Sequence, residues 1–344
     1  MTIAFTRCRE NPIVQPGSYD WRMATVFNPG VIYDENRFLM YERAAGTLRP
    51  FHCYIGMLQS EDGVHFRHVK DKPVFTPEMA GSSYGSVQDP RVVKIEGTFY
   101  MTYAFRPYAW NYHPTGLGVP ECSAAEFPGF SGKPEDNQSR SGIAASADGV
   151  HWEHRCWATP LELDDRDVIL FPEKIGGRFA LLRRPLQYVG PEYGTDRPGI
   201  WTCFSKDLQS WSQPVLIAKP ESEWEGDRIG AATPPIRTDK GWLVLYHGVE
   251  NQYPPTQRVV YRIGGMILDL NDPRKVIART RDFIMEPEAY YERFGLYIPN
   301  VIFPTGGVVK GGLLYLYYGV CDTAIALATA PLDALVDHVL KESV

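Results

Sequence analysis

Five short apolar or aromatic runs in this 344-residue chain each break at a proline beside a polar or small residue. The breaks are Asn28-Pro29-Gly30, Asp89-Pro90-Arg91, Phe171-Pro172-Glu173, Thr233-Pro234-Pro235 and Phe303-Pro304-Thr305. The intervals between successive prolines, at positions 29, 90, 172, 234 and 304, are 61, 82, 62 and 70 residues. Because proline cannot continue the hydrogen-bond ladder of a sheet, each break predicts a strand end on one common face. Five such units predict an all-β fold, a five-bladed β-propeller with polar groups gathered at one mouth.

Three segments share a second pattern: a serine is followed by an aspartate two positions later and by an aromatic residue six positions after the serine. They begin at Ser60, Ser146 and Ser205, and the first two contain Asp-Gly. Asp-Gly between β-rich runs indicates a hairpin, because glycine accepts the positive φ of the turn. We interpret these segments as hairpins that build blades and carry no chemistry.

The regular spacing of the five proline breaks also predicts the domain organisation. Aromatic residues make up 13% of the chain, and 28 Pro and 31 Gly fit a protein with many turns. We expect residues 1–344 to form a single propeller domain. An inserted loop at about residues 106–140 accounts for the long second interval. After Pro331, apolar residues at helical spacing predict an amphipathic C-terminal helix over about 331–342.

Several classes of protein are disfavoured by composition. The net charge is −6 and no basic run occurs, which argues against nucleic acid as a partner. No apolar stretch approaches the length of a membrane span, and residues 1–10 lack the apolar core of a signal peptide, so we expect a cytoplasmic protein. The six cysteines show no metal-type spacing, and no nucleotide-binding motif occurs, so neither a metal nor a cofactor is expected.

Charged residues near the predicted blade ends are the candidates for chemistry. Asp89 stands directly before a strand proline, and Arg166, Arg184, Arg228 and His247 adjoin other breaks. Singly, Asp89 could cap a turn, each arginine could be a surface group, and His247 could be structural. Together they would form a cationic cluster, which is unfavourable unless a bound anion offsets it. Arginine matches the oxygens of phosphate, so the cluster predicts an anionic substrate such as inorganic phosphate.

An ordered set of motifs from Asn28 to about Ala328 resembles glycoside hydrolase family 130, the mannoside phosphorylases and related β-mannosidases. The motifs are Phe27-Asn28-Pro29-Gly30-Val31, Asp89-Pro90-Arg91-Val92, Leu170-Phe171-Pro172-Glu173-Lys174-Ile175, Arg184-Pro185, Arg228-Ile229-Gly230-Ala231, Tyr246-His247-Gly248-Val249, Ile298-Pro299-Asn300-Val301-Ile302-Phe303-Pro304 and Cys321-Asp322-Thr323. Members of this family are five-bladed propellers and act with inversion. The set is more specific than any single motif within it.

The resemblance implies a role for each candidate. Asp89 matches the catalytic acid, which is thought to reach the glycosidic oxygen through a hydroxyl of the bound mannose. The residues that match the family's phosphate ligands are Arg166, Arg184, Arg228, His247 and Tyr261. The residues that match its mannose-binding positions are Asn28, Arg43 and Asp322.

The resemblance therefore implies an inverting β-mannoside phosphorylase that uses inorganic phosphate as co-substrate and releases α-mannose 1-phosphate. A phosphate dianion is already a nucleophile, whereas a hydrolase needs a second carboxylate about 6.5–9.5 Å from the acid. An inverting β-mannosidase is the first alternative, and the retained Arg166, Arg184 and His247 argue against it. A non-catalytic glycan-binding propeller is the second.

Some properties stay open at this point. The expected partners are a β-mannoside oligosaccharide and phosphate. The linkage, the acceptor sugar and the oligomeric state, including a homo-oligomer, are not fixed. The aromatic-rich loop at 106–140 favours a lid over the leaving-sugar subsite, with a dimer contact or a plain surface loop as alternatives.

Overall fold

The computed structural model describes residues 5–109, 127–160, 162–252 and 258–343, and its strands form five antiparallel sheets. Blade 1 contains β2 (Thr25–Asp34), β3 (Arg37–Ala45), β4 (Cys53–Ser60) and β5 (Arg67–His68). Blade 2 contains β6 (Ser86–Ile95), β7 (Thr98–Arg106), β8 (Arg140–Ser146) and β9 (Glu153–Trp157). Blade 3 contains β10 (Asp165–Leu170), β11 (Phe179–Pro185), β12 (Ile200–Ser205) and β13 (Val215–Ala218). Blade 4 contains β14 (Arg228–Ala231), β15 (Ile236–Arg237), β16 (Trp242–Gln252), β17 (Arg258–Leu268) and β18 (Val276–Arg279).

Blade 5 joins the two ends of the chain. It contains β19 (Ile302–Lys310), β20 (Leu313–Val320) and β21 (Ala324–Pro331), and β1 (Thr6–Arg7) adds to it by pairing antiparallel with β21. Strand β2 contacts both β19 and β6, and β10 contacts both β6 and β14, so the first strands of the blades surround the centre. The predicted five-bladed propeller is confirmed.

The prolines mark a different feature from the one expected. Pro29, Pro90 and Pro304 lie inside β2, β6 and β19, where the register with the next strand shifts. Pro29 and Pro90 are themselves unpaired at these bulges, so they forfeit no ladder hydrogen bond, whereas Pro304 is opposite Tyr318 and the residue left unpaired is Thr305. Pro234-Pro235 interrupts the inner edge of blade 4 between β14 and β15, and only Pro172 follows a strand. The expectation that every break is a strand end was wrong.

The serine–aspartate segments are confirmed as turns between the third and fourth strands of three blades. In each, the serine hydroxyl accepts the N–H three residues on, as Ser60 Oγ does from Gly63 at 2.9 Å. Two of the turns also join neighbouring blades, because Tyr317 donates to the Gly63 carbonyl and Tyr41 to the Gly149 carbonyl, both at 2.8 Å.

Two short α-helices lie in the C-terminal half, α1 (Tyr290–Arg293) and α2 (Leu332–Lys341). The predicted C-terminal helix is confirmed as α2, which buries Leu335, Val336 and Val339 against β17, β18 and β21. In the described part of the chain, no helix has the length and apolarity needed to cross a membrane.

The predicted loop falls between the end of β7 at Arg106 and the start of β8 at Arg140, and residues 110–126 of it lie outside the described residues. Of the described part, Phe127 and Phe130 pack with Tyr108, whose ring centroid is 4.6 Å from that of Phe130. The role predicted for this loop stays a prediction.

Closure of the ring depends on a buried carboxylate. Arg7 of β1 donates from Nε and Nη2 to the two carboxylate oxygens of Glu292, at 2.8 and 3.0 Å. Glu292 is fully buried and also accepts from Tyr318 Oη and from the backbone N–H groups of Glu288 and Ala289. Strand β1 is thus held to α1 by an ion pair whose acidic member has no access to water.

Arg7→Ala should lower the free energy of unfolding by about 1.5–3 kcal/mol, because it removes charged hydrogen bonds from a buried carboxylate. Arg37→Ala is the matched control, since Arg37 pairs with Glu35 at 3.4 Å on the exposed surface and should cost less than about 1 kcal/mol. Denaturant unfolding measures both. Equal effects of the two substitutions would show that the Arg7–Glu292 pair does not hold the closure.

Candidate active site

Three inner strands carry a residue with left-handed backbone at the bulge. The φ angles are 46° at Asn28, 52° at Asp89 and 52° at Asp167, and the register of β2, β6 and β10 shifts at these residues. Asn and Asp tolerate this region better than other side chains do. Because the three strands are neighbours around the centre, the bulges bring these polar side chains together.

Asp89 is held by two residues of blade 1. Its Oδ1 accepts from Asn28 Nδ2 at 2.8 Å and from Arg43 Nη1 at 2.9 Å. Arg43 is itself buried, with its guanidinium 4.2 Å from the ring centroid of Phe27 and its Nε donating to Cys53 Sγ at 3.3 Å. The carboxyl group of Asp89 is therefore fixed in position before any ligand binds.

Asp89 and Asp322 have opposite protonation preferences. Burial favours the neutral form of Asp89, but the charges of Arg43 and Arg91 and the Asn28 hydrogen bond outweigh it and lower its pKa. Burial raises the pKa of Asp322 to about 7; Arg43 opposes this rise and the charge of Asp89 adds to it. The two shifts therefore run in opposite directions: the lowered pKa favours the ionised form of Asp89, and the raised pKa favours the protonated form of Asp322.

Asp167 lies at the centre of the cationic cluster. Its carboxylate accepts from Arg184 Nε at 2.8 Å and from Arg91 Nη2 at 3.1 Å, and its Oδ2 lies 3.6 Å from His247 Nε2. Burial would raise the pKa of Asp167, but the charges of Arg184 and Arg91 and the Arg184 hydrogen bond hold it well below the usual value. Gly230 packs against this group; a Cβ there would clash with Asp167 Oδ2 and approach His247 Cε1 to 2.7 Å.

The remaining predicted phosphate ligands adjoin this centre. Arg166 is the register partner of Arg184 across β10 and β11 and makes a bidentate contact with Asp164 at 2.8 and 3.0 Å. Arg228 donates from Nη2 to Tyr261 Oη at 2.7 Å. The ring of Tyr261 stacks on that of His247 with centroids 5.8 Å apart.

His247 is neutral and incompletely bonded. Burial lowers its pKa to about 3; Asp167 opposes this fall, and the nearby arginines, Arg184 first, add to it. Its Nδ1 is buried without a hydrogen-bond partner among the described residues. A buried imidazole nitrogen without a partner is costly, and a hydrogen bond to this atom would remove that cost.

The structure thus brings the predicted residues together in two adjacent groups. Asn28, Arg43, Asp89 and Asp322 form an acid group, and Arg166, Arg184, Arg228, His247 and Tyr261 form a cationic group. Arg91 connects them, since it donates from Nη1 to the carbonyl of Asp89 at 3.1 Å and from Nη2 to Asp167.

Sequence reasoning missed the carboxylates within the cationic group. We expected the arginines to require a bound anion, but Asp167 and Asp164 already neutralise much of their charge. The signal was present in the run Asp164-Asp165-Arg166-Asp167, which places acidic residues on the same strand as a candidate ligand. Asp167 occupies the same bulge position in blade 3 as Asp89 does in blade 2. The sequence does not show this, because Val168 and not a proline follows Asp167.

A model of family 130, described as beta-1,4-mannooligosaccharide phosphorylase, matches residues 6–113 and 160–342. This chain belongs to glycoside hydrolase family 130. The family match covers every residue of both groups in the site.

Similar proteins extend over nearly the whole chain. The 1,2-beta-oligomannan phosphorylase of Thermoanaerobacter sp. (strain X514) is 36% identical over 95% of this chain and 97% of its own length. The beta-1,2-mannobiose phosphorylase of the same organism is also 36% identical, over 94% and 96%. The solved structure of beta-1,2-mannobiose phosphorylase from Listeria innocua, in complex with beta-1,2-mannobiose, has a TM-score of 0.73 at 25% identity and covers 97% of this chain and 99% of that chain.

Asp322→Asn should flatten the pH dependence of stability between about pH 4 and 7. Burial raises the pKa of Asp322 from the ordinary 3.8 to about 7. Between these two values the folded protein keeps a proton on Asp322 that the unfolded chain releases. Its contribution is fully present below pH 3.8 and is lost as the pH rises through 7. Unfolding free energies across this range should fall more in the native protein than in the variant. Parallel profiles would contradict the protonation assigned to Asp322.

Proposed function

We propose that this protein is an inverting β-mannoside phosphorylase that cleaves a β-mannosyl linkage with inorganic phosphate. The observation that carries the proposal is the contact of the two groups through Arg91, which places a held carboxyl group beside a preorganised cluster of cations. A phosphorylase needs these two parts and no protein base, because phosphate supplies the nucleophile.

The phosphate would bind to the cationic group, where Arg166, Arg184 and Arg228 supply charged donors and His247 and Tyr261 supply neutral ones. A phosphate oxygen would attack the anomeric carbon as the bond to the leaving sugar breaks. Asp89 would give a proton to the departing oxygen, directly or through a mannose hydroxyl. Attack from the face opposite the leaving group gives α-mannose 1-phosphate.

The proton on Asp89 needs a source, because the ligand-free carboxyl group is ionised. A phosphate dianion bound beside Arg91 would counter the positive charge that lowers the pKa of Asp89. Asp322 interacts electrostatically with both Asp89 and Arg43, and its raised pKa favours its own protonated form. Phosphate binding would therefore favour the protonated acid.

Hydrolysis by a β-mannosidase is the alternative, and two observations favour phosphorolysis. The carboxylate of Asp167, which is adjacent to the acid group, is held by Arg184 and Arg91 and is a poor base because its pKa is lowered. The relatives that are 36% identical are named as phosphorylases. Since both names specify β-1,2 linkages, we propose a β-1,2-linked mannoside as the substrate.

The remaining proposals concern the surroundings. We keep the 106–140 loop as a lid over the leaving-sugar subsite, supported by the packed aromatic residues at its described base. A cytoplasmic location is supported by the free thiols of Cys8, Cys53, Cys156, Cys203 and Cys321. A homo-oligomer stays a prediction.

Cleavage of β-1,2-mannobiose should depend on phosphate and yield α-mannose 1-phosphate and mannose in equal amounts. The protein is incubated with β-1,2- and β-1,4-mannobiose, with and without inorganic phosphate, and the products are identified by NMR. Cleavage at the same rate without phosphate would identify the hydrolase. Preference for the β-1,4 substrate would refute the linkage alone.

Asp89→Asn should lower turnover by about 10²–10⁴-fold, because the amide keeps the shape but cannot donate the proton. Asp34→Asn is the control, since Asp34 lies on inner strand β2 but pairs with Lys94 away from the site. Circular dichroism checks that both variants fold. Near-normal turnover of Asp89→Asn on a substrate with a poor leaving group would show that another residue is the acid.

A further inference from the structure

Arg106 is the last residue of β7 and lies near both groups of the site. The mechanism proposed above assigns it no role. It is partly buried, and its guanidinium interacts electrostatically with Arg166 and Asp164 on one side and with Arg43 and Tyr297 on the other. It therefore lies where the phosphate-binding residues meet the mannose-binding residues.

Hydrogen bonds connect Arg106 to the cationic group. Its Nε donates to Ser139 Oγ at 3.1 Å, and the backbone N–H of Ser139 donates to Asp164 Oδ2 at 3.4 Å. Asp164 holds Arg166 through its bidentate contact. Three hydrogen-bonded steps, through Ser139 and Asp164, thus connect Arg106 to Arg166.

The sheet register connects Arg106 to the acid group. Arg106 is opposite Ser86 across β6 and β7, so their side chains share a face of the sheet. Ser86 Oγ accepts from the N–H of Cys53 at 3.1 Å, and Cys53 Sγ accepts from Arg43.

Among the residues that the structure describes, Arg106 differs from the other arginines of the site because it forms no ion pair. The pairs are Arg43 with Asp89, Arg91 and Arg184 with Asp167, Arg166 with Asp164, and Arg228 with Asp227. Within the described residues, Arg106 makes no ion pair, and its one side-chain hydrogen bond goes to a neutral hydroxyl. Burial and the charge of Arg166 lower the pKa of Arg106 to about 10, against the opposing effects of Asp164 and Tyr297, and Arg43 lowers it further.

We propose that Arg106 is a further phosphate-binding residue, whose guanidinium donates to an oxygen of the phosphate at the junction with the mannosyl group. This inference rests on the proposed phosphorylase function. The paired arginines bring their own counter-charges, whereas a partly buried cation among like charges is unfavourable until an anion arrives. Arg106 is the cation that an incoming phosphate would neutralise.

The test compares Arg106→Gln and Arg106→Lys with the native protein and with Arg140→Gln. Arg140 is the matched control because it begins β8 of the same blade, is also partly buried, and stacks 4.0 Å from the ring centroid of Trp157 outside the site. KM for phosphate and KM for β-1,2-mannobiose are measured separately. Calorimetric titration with inorganic phosphate gives a binding constant without turnover, and thermal unfolding reports on the fold.

Arg106→Gln should raise the phosphate KM and the phosphate dissociation constant by about 10–150-fold, while the mannobiose KM changes less than about threefold. Arg106→Lys should recover part of the loss, since it restores the charge without the planar fork. Arg140→Gln should leave both KM values unchanged.

Two results would overturn the inference alone. One is a phosphate-dependent native enzyme whose phosphate KM is unaffected in a folded Arg106 variant. The other is a rise confined to the mannobiose KM, which would assign Arg106 to the sugar. If Arg106→Gln does not fold, Arg106→Lys decides between these results. A native protein that cleaves mannobiose without phosphate and shows no phosphate binding would refute the proposed function and this inference together.

Discussion

Left-handed backbone at Asn28, Asp89 and Asp167 determines where the chemistry of this propeller lies. In β2, β6 and β10, an extra residue interrupts the alternation of side chains between the two faces of the sheet. The polar residue at each bulge therefore lies outside the regular hydrogen-bond ladder. Because this happens at neighbouring strands, Asn28 of blade 1 reaches Asp89 of blade 2, and Arg91, two residues after Asp89, reaches Asp167 of blade 3. One backbone feature thus places both the acid and the carboxylate that orders the cations.

Asp167 explains how several arginines can lie together in a buried place. Arg91 and Arg184 would repel each other without it, and removing it would leave two buried charges unpaired, which is strongly destabilising. The cost of ordering the donors is met during folding, so a ligand finds them already in position. The same carboxylate weakens the attraction for an anion. A cation such as Arg106, which pairs with no carboxylate in the described part of the chain, becomes correspondingly more important.

The sequence predicted the architecture better than the details of the inner strands. A proline lacks a ladder N–H at a strand end and at a bulge alike, so Pro29, Pro90 and Pro304 were compatible with either, and only the register distinguishes them. Asp89, Arg166, Arg184, Arg228 and His247 were singled out by their places near the predicted blade ends, whereas Tyr261 and the role of each residue came only from the resemblance to a family. Asp167 was missed because Val168, not a proline, follows it, and the repeat was matched to Pro172 instead.

The role proposed for Arg106 could not be predicted from the residues around it in the sequence. In the sequence it is one arginine at the end of a β-rich run, and such residues are most often solvated on the surface. Its significance depends on which carboxylates the other arginines have already engaged, and those carboxylates lie in, or directly before, the inner strands of blades 2, 3 and 4. Whether a given arginine forms an ion pair depends on how all the arginines and carboxylates of the site are paired. That Arg106 forms no ion pair with the described residues is therefore a result of the fold, and Arg106 lies where the proposed reaction brings in a dianion.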